Sequence, residues 1–338
     1  MNEESIKLSI CIPTYNRAQI LKETLLNVLD CVDEGIEVVV SDNNSDDNTY
    51  SIIKNLKAPR IKYFKNQENI GAVRNIVRVL ERAKGKYSLL ISDEDLICNS
   101  TIPTIKKIIN DSQNISAILG GVLDQENRPY IHYARNKYIE GKEAMENIAF
   151  TNFYISGAIF NNDLIDFQDL NQQLSKPNNG FLHLYPHRYI LTKLTLLGDI
   201  VTIDNFICKQ GEKGKNYIEK QNGKIFNHPL ARVEQFKTDL TLSTMLNVDL
   251  EIRINMLLKL YRMVRSNLIE LKRNIKNKEL MDYFNLQVDE TSFLISIEKC
   301  TEIAIKELDK YKIEENRYLK IKERLLELKD SAVLYFAN

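Results

Sequence analysis

The chain carries no surplus of charge, with 46 Lys and Arg against 46 Asp and Glu in 338 residues. A protein built to hold a polyanion usually shows a basic excess, so nucleic acid is not an expected partner, although local basic patches survive a balanced total. Cysteine is sparse and odd in number: Cys11, Cys31, Cys98, Cys208 and Cys300 are scattered, with no CxxC pair. That pattern excludes a disulfide framework and a cysteine-rich zinc cluster, and it predicts a reducing compartment. Cys11 and Cys208 sit inside apolar runs and read as small core hydrophobes. Long hydrophobic runs are missing too. The longest, residues 115–123, is interrupted by glycine and falls well short of the roughly 18 apolar residues of a membrane span. The opening MNEESIKLSICIP puts acidic residues ahead of its short apolar run, unlike a secretory leader. The expectation is a cytoplasmic protein, with peripheral docking on the inner face of the cell membrane left open.

What is present is a chain able to form a core, 43% hydrophobic, whose first half alternates two periods. KLSICIPTY (residues 7–15) alternates apolar and polar, and then Leu21, Leu25, Val28, Leu29 and Val32 recur at helical spacing. IEVVV (36–40), Ile61–Phe64, YSLLI (87–91) and Ile115–Val122 read as further strands. Tyr50–Leu56 and the set Val73, Ile76, Val77, Leu80 and Ala83 read as helices between them. Continuous apolar strands alternating with helices predict a mostly parallel sheet covered on both faces. From about residue 154 the pattern turns mixed, with a strand-like YISGAIF, a helix near 189–197 and a strand near 200–207. The Gly- and Lys-rich KQGEKGKN (209–216) follows. Beyond residue 233 the chain is nearly all helix. Ile254, Leu257, Tyr261, Val264, Leu268 and Leu271 step by three and four, as do the sets from Leu294 to Tyr311 and from Tyr318 to Tyr335. These seams predict helix-on-helix packing within the chain, between copies of it, or both.

In open α/β sheets ligands bind at the carboxyl ends of the strands, and the polar clusters stand there. Asp93-Glu94-Asp95 follows the fourth strand. Three adjacent carboxylates repel one another, and a hard divalent cation shared with phosphate oxygens would offset the cost. On extended chain the outer pair, Asp93 and Asp95, points the same way and would form the metal ligands; the alternative is a solvated acidic turn. Asp42 opens DNNSDDNT after the second strand. Its carboxylate can accept the imide N–H of a uracil while the helix that follows favours phosphate at its N-terminus. Residues 42–47 can equally serve as a capped loop, and the two roles are compatible. Gly71 permits close approach to a ligand, and Arg74 stands in the first turn of the third helix, within reach of a diphosphate.

LSICIPTYNRAQIL, EVVVSDNNSDDNT and ENIGAVRNIVRVLERAKGKYSLLISDEDLI, in this order and at these intervals, resemble the family 2 glycosyltransferases of the GT-A fold. The resemblance is strong over about the first 100 residues and weak from there to about residue 205. It implies a nucleotide-sugar donor, usually a UDP-sugar, a Mn2+ or Mg2+ ion, and inversion at the anomeric carbon. By motif it implies that Pro13, Thr14, Tyr15 and Asn16 line the nucleoside pocket, that Asp42 reads the base with Asn44 beside it, and that Arg74 lies near the donor. Asp93 and Asp95 become the metal-binding D-x-D, with Glu94 between them against the donor.

One block departs from the pattern. Many members place an acidic catalytic base at a helix start on the acceptor side, and the corresponding NNGFLHLYPHRYILTKL has no acidic residue. His187, after Pro186, is the natural substitute as base; it can also simply cap or pack its helix, or touch the acceptor. His183 is the runner-up, with Asp163, Asp166 and Asp169 as acidic alternatives. His228 can imitate a late metal-binding histidine or be an ordinary loop residue. Lys213 and Lys215 can close over a diphosphate. The expected organisation is a GT-A catalytic domain over 1–232, its donor half about 1–100 and acceptor half about 101–232, and a helical domain over 233–338. The expected acceptor is a glycan, lipid-linked or protein hydroxyl in bacterial surface polysaccharide or teichoic acid synthesis. A sugar nucleotidyltransferase is disfavoured, because PTYNRA after the first strand contains no glycine. A non-catalytic nucleotide-sugar-binding or scaffold subunit is the other alternative.

Overall fold

The computed structural model describes residues 6–111, 113–151, 154–176, 185–211, 228–275 and 288–337. They divide into two compact units, one ending at residue 211 and the other beginning at residue 228.

The first unit opens with β1 (Leu8–Thr14), α1 (Ala18–Leu29), β2 (Ile36–Asp42), α2 (Thr49–Leu56), β3 (Ile61–Lys65), α3 (Ala72–Glu81) and β4 (Tyr87–Leu90). It continues with β5 (Leu96–Ile97), α4 (Ile102–Asp111), β6 (Ile115–Leu123), β7 (Pro129–Ile131), β8 (Asn136–Tyr138) and α5 (Lys142–Ile148). It ends with β9 (Ala158–Asn161), α6 (Phe167–Ser175), α7 (Pro186–Leu194) and β10 (Asp199–Lys209). Among the described residues the strands form one sheet in the order β3-β2-β1-β4-β9-β6-β10-β5, with β7 on β6 and β8 on β10. β2 and β4 are buried at every position, because helices cover both faces and leave no face for polar alternation. α1 turns Ala18, Leu21, Thr24, Leu25 and Val28 inward, at the spacing of one helical face.

From β3 to β4 every pairing is parallel. Beyond β4 the sheet is mixed, since β9 runs antiparallel to both β4 and β6. The apolar run YISGAIF is not strand throughout: β9 begins at Ala158, after a turn in which Gly157 adopts φ +91°. Glycine pays no side-chain penalty in that conformation. The chain runs from β1 outward to β3, then returns to place β4 on the other side of β1. The carboxyl ends of β1 and β4 therefore part at a topological switch point, where such sheets leave a crevice.

The second unit holds α8 (Pro229–Thr244), α9 (Leu250–Ile275), α10 (Glu290–Leu308) and α11 (Glu315–Ala337). α8 packs on α9 and α10, and α11 packs on α9 and α10. Every member of the α9 seam read from the sequence is buried, from Ile254 to Leu271. Ile297, Thr301, Ala304 and Leu308 of α10 and Ile321, Leu325 and Ala332 of α11 are buried likewise. Tyr261 and Thr301 share a hydrogen bond at 2.6 Å inside this core, which satisfies two hydroxyls that burial would otherwise penalise. Among the described residues no helix is long and apolar enough to cross a membrane.

Candidate active site at the strand ends

Pro13 lacks a backbone N–H, yet it stands in a central strand. This is tolerated because the β4 pairing ends at Cys11, two residues earlier. Beyond it Asn16 takes φ +52° and Asn44 takes φ +67°, a left-handed region that asparagine enters more readily than most residues. These bends stitch two loops together. The Asn16 N–H donates to Ser45 Oγ at 2.9 Å, and Asn16 Oδ1 accepts from the Asp46 N–H at 2.9 Å. Asp47 reaches back to accept from the Ala18 N–H at 2.9 Å, capping α1 from outside its own segment. Asp42 is buried at the end of β2. Its Oδ2 accepts from the Tyr63 hydroxyl at 2.5 Å and its Oδ1 from the Ser45 N–H at 2.8 Å. Asn43, Asn66 and Asn75 form an amide cluster beneath these loops, with Asn75 Nδ2 donating to the Ser41 carbonyl at 2.8 Å.

The acidic triplet is a turn and not extended chain, because the Asp95 N–H closes back on the Ser92 carbonyl at 3.2 Å. The expectation that Asp93 and Asp95 project side by side from extended chain is therefore corrected: the turn hands them to different neighbours. Asp93 Oδ2 accepts from Thr14 Oγ1 at 2.7 Å and its Oδ1 from Arg17 Nη1 at 2.7 Å. The same Arg17 nitrogen lies 3.0 Å from Glu94 Oε2. Asp95 is held from the other side, by Tyr154 Oη at 2.9 Å from both carboxylate oxygens, by Ser156 Oγ at 2.5 Å and by the Gly211 N–H at 3.2 Å. Burial pushes all three carboxyls above the ordinary range, while Arg17 pulls Asp93 and Glu94 down and Ser156 and Tyr154 pull Asp95 down. Burial works against the Arg17 charge, and Asp93 and Glu94 raise its pKa in spite of that. Among the described residues no three His, Cys, Asp or Glu side chains converge on one point. The all-oxygen donor set still fits the form Mg2+ takes with nucleotides, one or two carboxylates completed by phosphate oxygens and water.

Residues 9–169 match the family described as glycosyl transferase family 2. That segment, just under half of the chain, is similar to the family 2 glycosyltransferases. Over 108 residues it is 32% identical to the GalNAc(5)-diNAcBac-PP-undecaprenol beta-1,3-glucosyltransferase of Campylobacter jejuni, covering 31% of this chain and 35% of that protein. Over 114 residues it is 31% identical to the abequosyltransferase RfbV of Salmonella typhimurium, covering 32% of this chain and 34% of that one. The chain thus spans about a third of the length of the curated relatives it matches. The crystal structure of S. aureus TarS residues 1–349 in complex with UDP superposes with a TM-score of 0.57 at 16% identity, covering 98% of this chain and 89% of that one. At that identity the likeness concerns the fold.

Within the matched segment the strand-end residues Pro13, Thr14, Tyr15, Asn16, Asp42 and Asn44 share one set of loops, and Thr14 touches the triplet directly. Arg74 is exposed in the first turn of α3. His187 lies on α7, beyond the matched segment, and is 1% exposed. Among the described residues neither of its ring nitrogens has a hydrogen-bond partner. Burial, with a smaller push from Arg188, lowers its pKa to about 3. Two of the acidic alternatives have structural work: Asp166 caps α6, and Asp169 accepts from Tyr189 at 2.9 Å and Lys193 at 3.1 Å. Asp163 is exposed beside them. His228 belongs to the second unit and caps α8, its Nδ1 accepting from the Leu230 N–H at 3.2 Å. His183, Lys213 and Lys215 lie outside the described residues. The sequence reading missed Arg17, Tyr63, Tyr154, Ser156 and Gly211. Only Arg17 carried a signal, as a cation three residues after Thr14 facing an unpaid acidic triplet.

Proposed function

We propose that this chain transfers a sugar from a nucleotide-sugar, a UDP-sugar in our reading, to a hydroxyl acceptor with inversion at the anomeric carbon, aided by Mn2+ or Mg2+. The observation that supports this best is the meeting of Thr14 and the Asp93–Asp95 turn at the switch point of a family 2 sheet, one strand from Asp42. Asp93 would hold the cation from the β1 side and Asp95 from the β9 side, each keeping its hydroxyl donors from Thr14 or from Tyr154 and Ser156, with Glu94 between them on the donor. When bound, the cation supplies positive charge against the departing diphosphate. Arg74 adds a fixed charge for the same diphosphate. Asp42, oriented by Tyr63 and Ser45, accepts the uracil imide N–H, and Pro13, Tyr15, Asn16 and Asn44 wall the nucleoside.

His187 accepts the proton of the attacking hydroxyl. Both ring nitrogens lack a partner among the described residues, so the neutral imidazole has one lone pair to offer. Burial, which lowers its pKa to about 3, opposes the charged ring that proton uptake creates, so the step requires the bound acceptor and donor to supply compensating negative charge. A new bond forms from the acceptor oxygen to the anomeric carbon, the bond to the diphosphate breaks, and the proton ends on the ring. The acceptor class we propose is a lipid-linked surface glycan, as in the name of the Campylobacter relative, which would bring the protein to the membrane surface peripherally. The test is a thermal-shift screen of nucleotide-sugars with and without Mn2+, followed by a transfer assay on the best donor. A rise in melting temperature with a nucleoside diphosphate and metal is expected, with transfer lost in Asp93→Asn. If no nucleoside diphosphate shifts the transition in Mn2+, the donor assignment fails.

A further inference from the structure

We infer that Arg17 is the resident counter-cation of the acidic turn and competes with a divalent ion for Asp93; the inference rests on the metal-dependent reading above. Its Nη1 lies 2.7 Å from Asp93 Oδ1 and 3.0 Å from Glu94 Oε2, and the three side chains are only 15%, 6% and 19% exposed. A single guanidinium thus serves two carboxylates, Asp93 buried and Glu94 half-buried.

The position is costly for the helix it precedes. Arg17 is the residue ahead of α1, at the positive end of that helix's dipole, where an acidic or hydroxyl side chain is preferred. It supplies no side-chain cap, and the Ala18 N–H takes its acceptor from Asp47 in another loop. An arginine against the dipole is explained by what it reaches, the charge of the turn.

A divalent ion at Asp93 and the guanidinium cannot share Asp93 Oδ1, because like charges a few Å apart in a water-poor site repel strongly. Loading the ion therefore means moving the guanidinium away from Asp93. A diphosphate gives the released guanidinium a new anion, so ion and nucleotide enter together more readily than either alone. Such coupling is reciprocal. The ligand-free protein keeps the charge of its turn partly offset and admits metal well only in the company of a diphosphate.

The test is Mn2+ binding by titration calorimetry, alone and with UDP, to the unmodified chain, Arg17→Met and Arg17→Lys. Arg17→Met should bind Mn2+ alone about tenfold more tightly or better, and UDP should improve its Mn2+ affinity less than in the unmodified chain. Arg17→Lys, which keeps the charge, should stay near the unmodified value. If Arg17→Met binds Mn2+ alone no more tightly, while the unmodified chain binds it with UDP, this inference fails and the metal reading stands. If no protein binds Mn2+ under either condition, both fail together. Should Arg17→Met prove too unstable to titrate, its melting temperature in EDTA decides. Recovery on adding Mn2+ supports the competition, and a loss that Mn2+ does not repair overturns it.

Discussion

Tyr154→Phe deletes one oxygen and tests how the turn is held. The hydroxyl donates to both oxygens of Asp95 at 2.9 Å, and Asp95 is 1% exposed. A hydrogen bond to an ionised buried group is worth about 1.5–3 kcal/mol net. Ser156 at 2.5 Å and the Gly211 N–H at 3.2 Å remain, so the lower part of that range, about 1.5–2 kcal/mol, is expected. For a unit of this size each kcal/mol moves the transition by about 2–4 °C. Calorimetry in EDTA, with the two units followed as separate transitions, should therefore show a fall of roughly 3–8 °C in the first.

The pH dependence has a definite sign. Burial already raises the Asp95 carboxyl above its ordinary range, and Tyr154 is one of the donors that pull it down. Without that donor the folded pKa rises further. The cost of Tyr154→Phe is fully present above both folded values and is lost as pH falls through them, since a protonated carboxyl needs the donor less. In an Asp95→Asn background the cost should shrink as well. A cost that persists unchanged at acid pH and in Asp95→Asn would refute the bracing of a carboxylate.

Gly211→Ala should destabilise the first unit by about 1–3 kcal/mol, because an added Cβ would lie 1.5 Å from the Glu94 carbonyl oxygen; a melting curve superimposable on the unmodified one would show that the strand end does not press on the turn. Asp42→Ala should cost about tenfold or more in UDP affinity with little effect on CDP, whose ring N3 carries no hydrogen to donate, measured by competition binding, and an equal loss for both nucleotides would remove Asp42 from reading the imide N–H. His187→Gln should lower kcat by about 10²–10⁴-fold with a nearly unchanged KM for the donor. Because burial holds the ring neutral down to about 3, kcat/KM should show no histidine inflection between about pH 5 and 8; an inflection near the free-histidine value would mean that the ring is solvated.

The parallel half of the fold was legible because each of its strands is a short β-rich segment with a polar cluster at its end, and the helical seams of α9 to α11 were legible as period. The antiparallel insertion of β9 was not, since YISGAIF has the same apolar character whichever way it runs. The triplet was visible as charge, but its geometry was hidden in a backbone turn at Ser92 that three acidic letters do not announce. Its neutralisation was read as a metal's work alone, whereas Arg17 supplies a cation from the chain. Tyr154 and Ser156 are ordinary residues of an apolar stretch until the sheet order sets them against Asp95.

That sheet order also explains why the turn is braced from two sides. β4 has β1 on one flank and β9 on the other. At its carboxyl end the Ile91 N–H donates to the Cys11 carbonyl of β1, and the Gly157 N–H next to β9 donates to the Leu90 carbonyl. Whatever follows β4 must emerge between the end of β1 and the start of β9. Asp93 consequently falls to Thr14 and Arg17, and Asp95 to Tyr154 and Ser156. The β1 side contributes a cation that can be exchanged for another, and the β9 side contributes neutral donors that cannot substitute for one. A ligand that displaces Arg17 can thus recharge one end of the turn while the other end stays anchored.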